Sequence, residues 1–298
     1  MSSLALLLKS IGHRVTGSDL SSGPVIDRLL AAGIKVSIGH HAESAAGAAL
    51  LVRSSAVPDN NTEIRAASGN GVRVLKHAEM IGIISQAERT LAVAGTHGKT
   101  TTTAMLATIL IGAGLDPIAL VGGVVPALGS GARLGSGGFF VVEADEFDRR
   151  FHALHPEIAI VTCVEPDHLD YYGTFAAVRE AFATFVGRVS PNGWVIVNAD
   201  SPAARALAEQ RPEQSVSYGH SVQADWRAAG VTANSDGGND FVVYAHDLLV
   251  GRFRLRIPGQ HNVANALAAA VAAGRIGVDF TTAAAALEGF SGVERRLE

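Results

Sequence analysis

The sequence predicts an α/β protein with two domains: a small, doubly wound parallel sheet in residues 1–88 and a P-loop-containing α/β domain in residues 89–298. Three observations predict this class. Helix-like and strand-like segments alternate through the first 88 residues. A glycine-bracketed turn at 95–98 joins an apolar strand to a helix. The 298 residues, 48% hydrophobic and 17% charged, are enough for two domains with real cores and argue against disorder.

The first domain is predicted from repeated strand and helix units. The spacing of apolar residues predicts helices at 2–11, 24–32, 62–68 and 78–86, and strands at 14–18, 35–38, 49–54 and 72–75. Units of this length imply parallel strands, because the helix carries the chain back along the sheet. Such a sheet normally opens with a strand and a glycine-rich turn, whereas this chain opens directly on a helix.

The second domain is predicted to begin with a strand at 91–94 and a helix at 99–111, on either side of the glycine turn. Further strands are predicted at 139–143, 158–164 and 194–198, and further helices at 175–189, 202–208, 262–275 and 281–287. Residues 216–257 are richer in strand-forming residues and carry a turn at 236–239. The glycine- and serine-rich stretch 129–138 is predicted to be a surface loop.

The turn that follows residue 94 has the chemistry of a polyphosphate site. Gly95 and Gly98 permit positive φ and a close backbone approach, so N–H groups at a helix N-terminus can converge on phosphate oxygens. Lys99 supplies a cation for the β- and γ-phosphates, and Thr100 a hydroxyl for Mg²⁺. A strand-to-helix turn with a threonine-rich cap is the alternative. The residues assigned to ATP here are Gly95, Thr96, His97, Gly98, Lys99, Thr100 and Thr101.

Acidic segments follow two of the buried strands. Glu143 ends the strand at 139–143, and His168 lies between aspartates after the strand at 158–164. Ligands bind at the carboxyl ends of strands in an open parallel sheet, and Mg²⁺ prefers oxygen ligands. The alternatives are a solvated acidic helix start, which is the expectation for Glu146 and Asp148, and a capping or surface histidine at His168.

With these motifs the chain resembles the Mur ligase family, ATP-dependent amide-forming enzymes of peptidoglycan precursor synthesis. The resemblance lies in the short loop Gly-Thr-His-Gly-Lys-Thr-Thr, in which Val93 stands where the general P-loop has glycine, and in the motifs that begin at Glu143 and Asp167. It implies Mg²⁺ as the cofactor, with Thr100, Glu143 and His168 as ligands. It also implies catalytic roles for Lys99, Glu143 and His168.

The resemblance implies further binding residues. His261, Asn262 and Asn265 match the family's element near the adenine, although Asn262 is also a plausible helix cap. The residues implied for UDP-sugar binding are Asp19, Ser54, Ser55, Gly122 and Gly123. A turn cap is the alternative for Asp19.

The implied reaction uses ATP to activate the carboxylate of UDP-N-acetylmuramate, which the amino group of L-alanine then attacks. A ligase that joins a tripeptide to the same UDP sugar, a non-catalytic nucleotide-binding remnant, and half of a split enzyme with a separate C-terminal chain remain alternatives. They remain because the family's first strand and C-terminal amino-acid-binding domain find no match in the chain. The first residues of the chain align with the Met-Ser that ends the family's glycine turn. Residues 292–298 resemble the hinge that leads to the family's C-terminal domain.

Composition excludes other classes of partner. The chain has 24 basic and 28 acidic residues, a net charge of −4, and so no excess of cations for nucleic acid. Without an apolar run of about 18 residues, no membrane partner is expected. Cys163, the single cysteine, excludes an internal disulfide and suits a reducing compartment, so a cytoplasmic location is expected.

Overall fold

The computed structural model describes residues 1–293 and divides into two compact units, Met1–Ile84 and Ser85–Glu298. The hinge-like segment predicted at 292–298 lies, beyond Val293, outside the described residues. The α/β class is confirmed in both units.

The first unit is built from short parallel strands and the helices between them. Its elements are α1 Ser2–Ser10, β1 Thr16–Asp19, α2 Pro24–Ala31, β2 Lys35–Ile38, β3 Leu50–Arg53, α3 Thr62–Gly69, β4 Arg73–Lys76 and the first turns of α4 His77–Ala87. The strands form two separate parallel pairs, β1 with β2 and β3 with β4, rather than the one sheet predicted. Local patterns indicate strand direction, but not which strands become neighbours.

The second unit is organised around a ten-stranded sheet in the order β14-β13-β12-β11-β10-β9-β5-β8-β6-β7. Its strands are β5 Arg89–Ala94, β6 Ile118–Val125, β7 Ser130–Arg133, β8 Phe139–Glu143, β9 Ile158–Val161, β10 Trp194–Asn198, β11 Ser215–Gly219, β12 Trp226–Ala233, β13 Asn239–Ala245 and β14 Leu248–Arg254. The central strand β5 pairs in parallel with β8 on one side and β9 on the other. The carboxyl ends of these three strands therefore share one edge of the sheet.

Helices cover this sheet, and two of them, α5 and α9, contain residues predicted to bind ATP. The helices are α5 Lys99–Gly112, α6 Leu169–Tyr172, α7 Phe175–Val186, α8 Pro202–Arg205, α9 Gln260–Arg275 and α10 Phe280–Glu288, with 3₁₀ segments at Pro126–Leu128, Phe147–Ala153, Ala206–Gln210 and Pro212–Gln214. The 3₁₀ segment Ala42–Ala45 lies in the first unit. The alanine-rich α9 buries 11 of its 16 residues, many of them in the same core cluster as the residues of α5. None of the helices in residues 1–293 combines the length and apolar character needed to cross a membrane.

The stretch 129–138, predicted to be a loop, contains strand β7, so that prediction was wrong in part. β7 pairs antiparallel with β6, a strand that the sequence reading did not identify. A Cβ at Gly131 would lie 2.8 Å from the carbonyl oxygen of Gly123 and 3.0 Å from that of Val121. The glycine therefore serves a close backbone approach inside the sheet and does not mark a loop.

Candidate active site

The loop between β5 and α5 has a backbone that requires glycine at both ends. Gly95 has φ 142° and Gly98 has φ 81°. A Cβ at Gly95 would lie 1.9 Å from Thr162 Oγ1, and one at Gly98 would lie 2.7 Å from Asn265 Oδ1. The loop is thus fitted closely between the end of β9 and the start of α9, with the N-terminus of α5 at its end.

Residues after β9 fasten the other side of the loop. The Thr96 N–H donates to the Cys163 carbonyl at 3.0 Å, and the Thr96 hydroxyl accepts from the Glu165 N–H at 2.9 Å. The His97 N–H points to Cys163 Sγ at 3.3 Å, and burial raises the pKa of that thiol. Cys163 is therefore a packing contact of the loop in its neutral form. The strand predicted at 158–164 ends at Val161 because the next residues turn to make these contacts.

Lys99 folds back onto the loop that precedes it. Its ammonium group donates to the carbonyl oxygens of Gly95 at 2.5 Å and Thr96 at 3.2 Å, and to Glu146 Oε1 at 2.8 Å. The Glu146 side chain is only 4% exposed, so this ion pair is largely shielded from water. Burial raises the pKa of Glu146, an effect that the nearby Lys99 opposes.

Glu146 is the residue that the sequence interpretation missed. It was expected to lie at a solvated acidic helix start, and the structure instead buries it against the P-loop lysine. The hydroxyl of Tyr172 donates to the Glu146 carbonyl at 2.5 Å and helps to fix its backbone. Burial, followed by the neighbouring Tyr171, raises the pKa of Tyr172 to about 12, so that hydroxyl stays a neutral donor. The only signal in the sequence was its position, because Glu146 comes three residues after the end of β8.

Thr100 and Glu143, both predicted metal ligands, are in contact. The buried Thr100 hydroxyl donates to Glu143 Oε1 at 3.1 Å, and the Gly122 N–H donates to Glu143 Oε2 at 2.9 Å. A hydroxyl and a carboxylate oxygen side by side at a phosphate loop are hard donors of the kind Mg²⁺ uses, so these residues fit the ion. Gly122, predicted at the UDP sugar, holds this carboxylate, and Gly123 follows it in β6.

His168 belongs to a different group of donors from Glu143. Its Nε2 lies 4.0 Å from Glu146 Oε1, and its Nδ1 lies 3.9 Å from Asp167 Oδ1. Within residues 1–293, these three residues form the group whose possible ligand atoms all lie within 4.8 Å of one another. His168 also has φ 50°, a strained value for a residue other than glycine, as do the nearby Asp148 and Arg149. The predicted ligands therefore lie in two groups of oxygen-rich donors.

Three residues at the start of α9 were predicted to lie near the adenine, and one of them, Asn265, lies against the loop between β5 and α5. Asn265 contacts Gly98, and its amide donates to Asn262 Oδ1 at 3.4 Å. Asn262 donates to the Pro258 carbonyl, and the helix cap is Gly259 rather than Asn262. His261 is exposed, and its ring lies over Gly259.

The UDP-sugar candidates of the first unit lie at strand ends and make local turn contacts. Asp19 Oδ1 accepts from the Ser21 N–H at 3.2 Å, and Ser54 Oγ accepts from the Ala56 N–H at 3.3 Å. Ser55 lies in the turn after β3. The sequence reading did not single out Ser18, whose hydroxyl donates to Glu63 Oε2 at 2.7 Å.

Sequence comparisons cover both units. Residues 1–89 match the Mur ligase family catalytic domain, and residues 93–273 match the Mur ligase middle domain. The chain is 40% identical over 297 residues to a UDP-N-acetylmuramate--L-alanine ligase of Sorangium cellulosum and 43% identical over 303 residues to one of Renibacterium salmoninarum. All of this chain is covered in both alignments, but it spans only 63% and 64% of these relatives' lengths.

Solved structures have the same architecture. A UDP-N-acetylmuramate:L-alanyl-gamma-D-glutamyl-meso-diaminopimelate ligase from Neisseria meningitides matches with TM-score 0.89 and 31% identity, covering 99% of this chain and 96% of that one. A UDP-N-acetylmuramate-alanine ligase from Thermotoga maritima matches with TM-score 0.87 and 29% identity, covering 99% and 67%. Because the middle-domain match alone spans more than half of the chain and includes Lys99, Glu143 and His168, the chain belongs to the Mur ligase family.

Proposed function

We propose that this chain binds ATP in a ligase that joins L-alanine to the carboxylate of UDP-N-acetylmuramate in the cytoplasm. The observation that carries the proposal is the contact of Thr100 with Glu143 beside Lys99, at the end of a glycine loop and the N-terminus of α5. This is the arrangement of donors and cation that a nucleoside triphosphate needs. The alanine ligases among the curated relatives suggest the substrates.

The proposed reaction has two steps and needs no protein nucleophile. A carboxylate oxygen of UDP-N-acetylmuramate attacks the γ-phosphorus, and the bond from that phosphorus to the β-γ bridging oxygen breaks, which gives ADP and an acyl phosphate. The amino nitrogen of L-alanine then attacks the acyl carbon. The carbon–oxygen bond to phosphate breaks, phosphate leaves, and the nitrogen loses a proton as the amide forms.

The protein's part in this chemistry is positioning and charge compensation. Loop N–H groups and the α5 N-terminus would hold the phosphates, and Lys99 would offset charge on the transferred group. Asn265 would keep the loop in place through its contact with Gly98.

Mg²⁺ would be held by Thr100 and Glu143, and a second ion by His168 with its acidic neighbours. When bound, it would neutralise charge on the phosphate oxygens. Thr100 and Glu143 are oxygen donors of the kind that the ion prefers, and the second group offers two carboxylates, Glu146 and Asp167, besides the imidazole of His168. Asp19, Ser54, Ser55, Gly122 and Gly123 remain the proposed UDP-sugar contacts, and His261, Asn262 and Asn265 the proposed contacts near the adenine.

The comparisons offer two amino substrates, L-alanine and a tripeptide. The tripeptide-joining ligase from Neisseria meningitides matches this chain with a TM-score of 0.89, and the alanine ligase from Thermotoga maritima matches it with 0.87, so the fold does not separate the two. The curated sequence relatives are alanine ligases at 40–43% identity, which favours L-alanine. An assay must therefore compare both amines.

The test is phosphate release by the native protein with ATP, Mg²⁺ and UDP-N-acetylmuramate, with the product identified by mass spectrometry. We expect release with L-alanine and little with the tripeptide L-alanyl-γ-D-glutamyl-meso-diaminopimelate. Faster phosphate release with the tripeptide would show that the tripeptide, and not L-alanine, is the amino substrate. ATP binding without phosphate release with either amine would favour a non-catalytic nucleotide-binding protein, and no binding of ATP would refute the proposal.

A further inference from the structure

The Lys99 ammonium has no hydrogen left for a phosphate in the arrangement described. An ammonium group offers three N–H donors, and the Gly95 carbonyl, the Thr96 carbonyl and Glu146 Oε1 accept all three. Contact with a phosphate oxygen therefore requires that Lys99 give up at least one of these partners.

Glu146 is the partner that competes with phosphate. The two carbonyl oxygens belong to the loop and are neutral, whereas Glu146 is a carboxylate whose bond to an ammonium is charge-assisted and stronger. It lies 3% exposed, where water screens the attraction least. Its second oxygen, Oε2, has no hydrogen-bond partner among the described residues, so Lys99 is its main compensating charge.

We propose that Glu146 is a positioning residue that holds Lys99 away from the nucleotide phosphates in the free protein and lowers the affinity for ATP by that competition. The inference rests on the proposed ATP-binding function and adds a regulator of that same site. Glu146 stays in place as the lysine moves, because Tyr172 bonds its carbonyl and β8 precedes it. The ion pair thus sets how readily Lys99 is delivered to the phosphates.

The decisive variant is Glu146→Gln, which keeps the shape and an acceptor oxygen but removes the charge. We expect it to bind ATP about fivefold more tightly than the wild type, the difference between a charged and a neutral hydrogen bond. Calorimetric titrations are made with EDTA present, so that metal binding by Glu146 does not enter. AMP, which lacks the β- and γ-phosphates, should bind both proteins equally.

Asp145→Asn is the matched control. It removes the same charge from the adjacent residue, whose side chain bonds Arg150 rather than Lys99, and it should leave the affinity for ATP unchanged. In a Lys99→Met background, Glu146→Gln should also have no effect, because the cation for which it competes is gone. An equal gain in Asp145→Asn, or a gain that persists without Lys99, would overturn the inference in favour of a general charge effect.

Labelling provides a readout independent of ATP. An amine-acetylating reagent, followed by peptide mass mapping, should modify Lys99 more in Glu146→Gln than in the wild type, with the exposed Lys35 and Lys76 as internal references. If Glu146→Gln does not fold, Glu146→Asp keeps the charge but shortens its reach, and it should give smaller changes in the same direction. If the folded Glu146 variants bind ATP no more tightly than the wild type, while ATP binding by the wild type still depends on Lys99, this inference is wrong and the proposed function stands. Failure of the wild type to bind ATP overturns the proposed function.

Discussion

Asn265 lies so close to Gly98 that its side chain must shift to admit any other residue there: a Cβ at Gly98 would lie 2.7 Å from Asn265 Oδ1. This contact joins the phosphate loop to α9, an element more than 150 residues further along the chain. Gly98 also has φ 81°, so a substitution there meets both steric conflict and backbone strain.

Gly98→Ala should therefore weaken ATP binding at least about tenfold, since even a small displacement of the loop misplaces its phosphate donors. Gly114→Ala is the matched control, because Gly114 has φ 74° but no atom within 4 Å of its Cβ position. Backbone strain alone costs about 1 kcal/mol, and both variants should show that loss in thermal unfolding. Calorimetry should separate them, and equal ATP affinities would contradict the role of the Asn265 contact.

Lys99→Met should reduce ATP affinity by about tenfold or more, because the loop keeps its N–H groups but loses the cation matched to the β- and γ-phosphates. Lys35→Met, at an exposed position in β2, is the control and should bind ATP normally. ATP should also protect Lys99 of the wild type from acetylation. Wild-type affinity in Lys99→Met would show that the phosphates bind elsewhere.

Glu143→Gln should reduce the stimulation of ATP binding by Mg²⁺ while leaving binding in EDTA nearly unchanged. The amide oxygen can still accept from the Gly122 N–H, and the amide NH₂ group can donate to the Thr100 hydroxyl oxygen, but an amide is a poorer ligand for Mg²⁺ than a carboxylate. ATP titrations at a series of Mg²⁺ concentrations measure the effect, with Glu209→Gln, an exposed position, as the control. The same Mg²⁺ dependence in both variants would refute the metal role of Glu143.

His168→Ala should lower the affinity for Mn²⁺, used as a paramagnetic substitute for Mg²⁺, because it removes the imidazole from the group with Glu146 and Asp167. His246→Ala is the control, since His246 has nearly the same φ, 51° against 50°, but its side chain is 78% exposed. Electron paramagnetic resonance counts the bound ions in the presence of ATP. Equal Mn²⁺ binding by the two variants would leave His168 a structural residue.

Asp116 should make the second unit sensitive to acid. Hydrogen bonds from Arg133 and Ser136 lower the pKa of this carboxyl from 3.8 to about 2. Because the folded state lowers the pKa, the stabilisation is present above pH 4 and is lost as the pH falls through 4 towards 2. Asp116→Asn should make the urea midpoint of unfolding depend less on pH between pH 4 and pH 2. An unchanged profile would mean that other carboxyl groups control the acid sensitivity.

Local chemistry made the loop predictable. Gly95, Gly98 and Lys99 stand between an apolar strand and a helix, an order that favours a phosphate-binding loop although Val93 departs from the general P-loop spacing. The α/β class and the family membership are confirmed. The ligand roles of Glu143 and His168 stay predictions, although both lie where the ends of β8 and β9 were expected to deliver them.

Contacts between distant segments were not predictable in the same way. The role of Glu146 depends on burial against Lys99, which lies 47 residues earlier, and a single acidic stretch does not distinguish a buried carboxylate from a solvated one. The contact of Asn265 with Gly98 depends on how α9 packs. β7 was missed because a glycine such as Gly131 is equally compatible with a loop and with a close strand pairing.

The burial of α9 has a consequence for how the phosphate loop responds to heat. Most of this helix, from Val263 to Ala273, is locked in the interior, so its N-terminal end cannot shift unless the interior rearranges. Asn265 therefore holds its side of the loop in place, and adjustment to a ligand falls to the Lys99 side chain, which bonds Glu146 in the free protein. We therefore expect this end of α9 to be displaced only when the second unit unfolds, so that heating should abolish ATP binding and the cooperative structure of the unit at the same temperature.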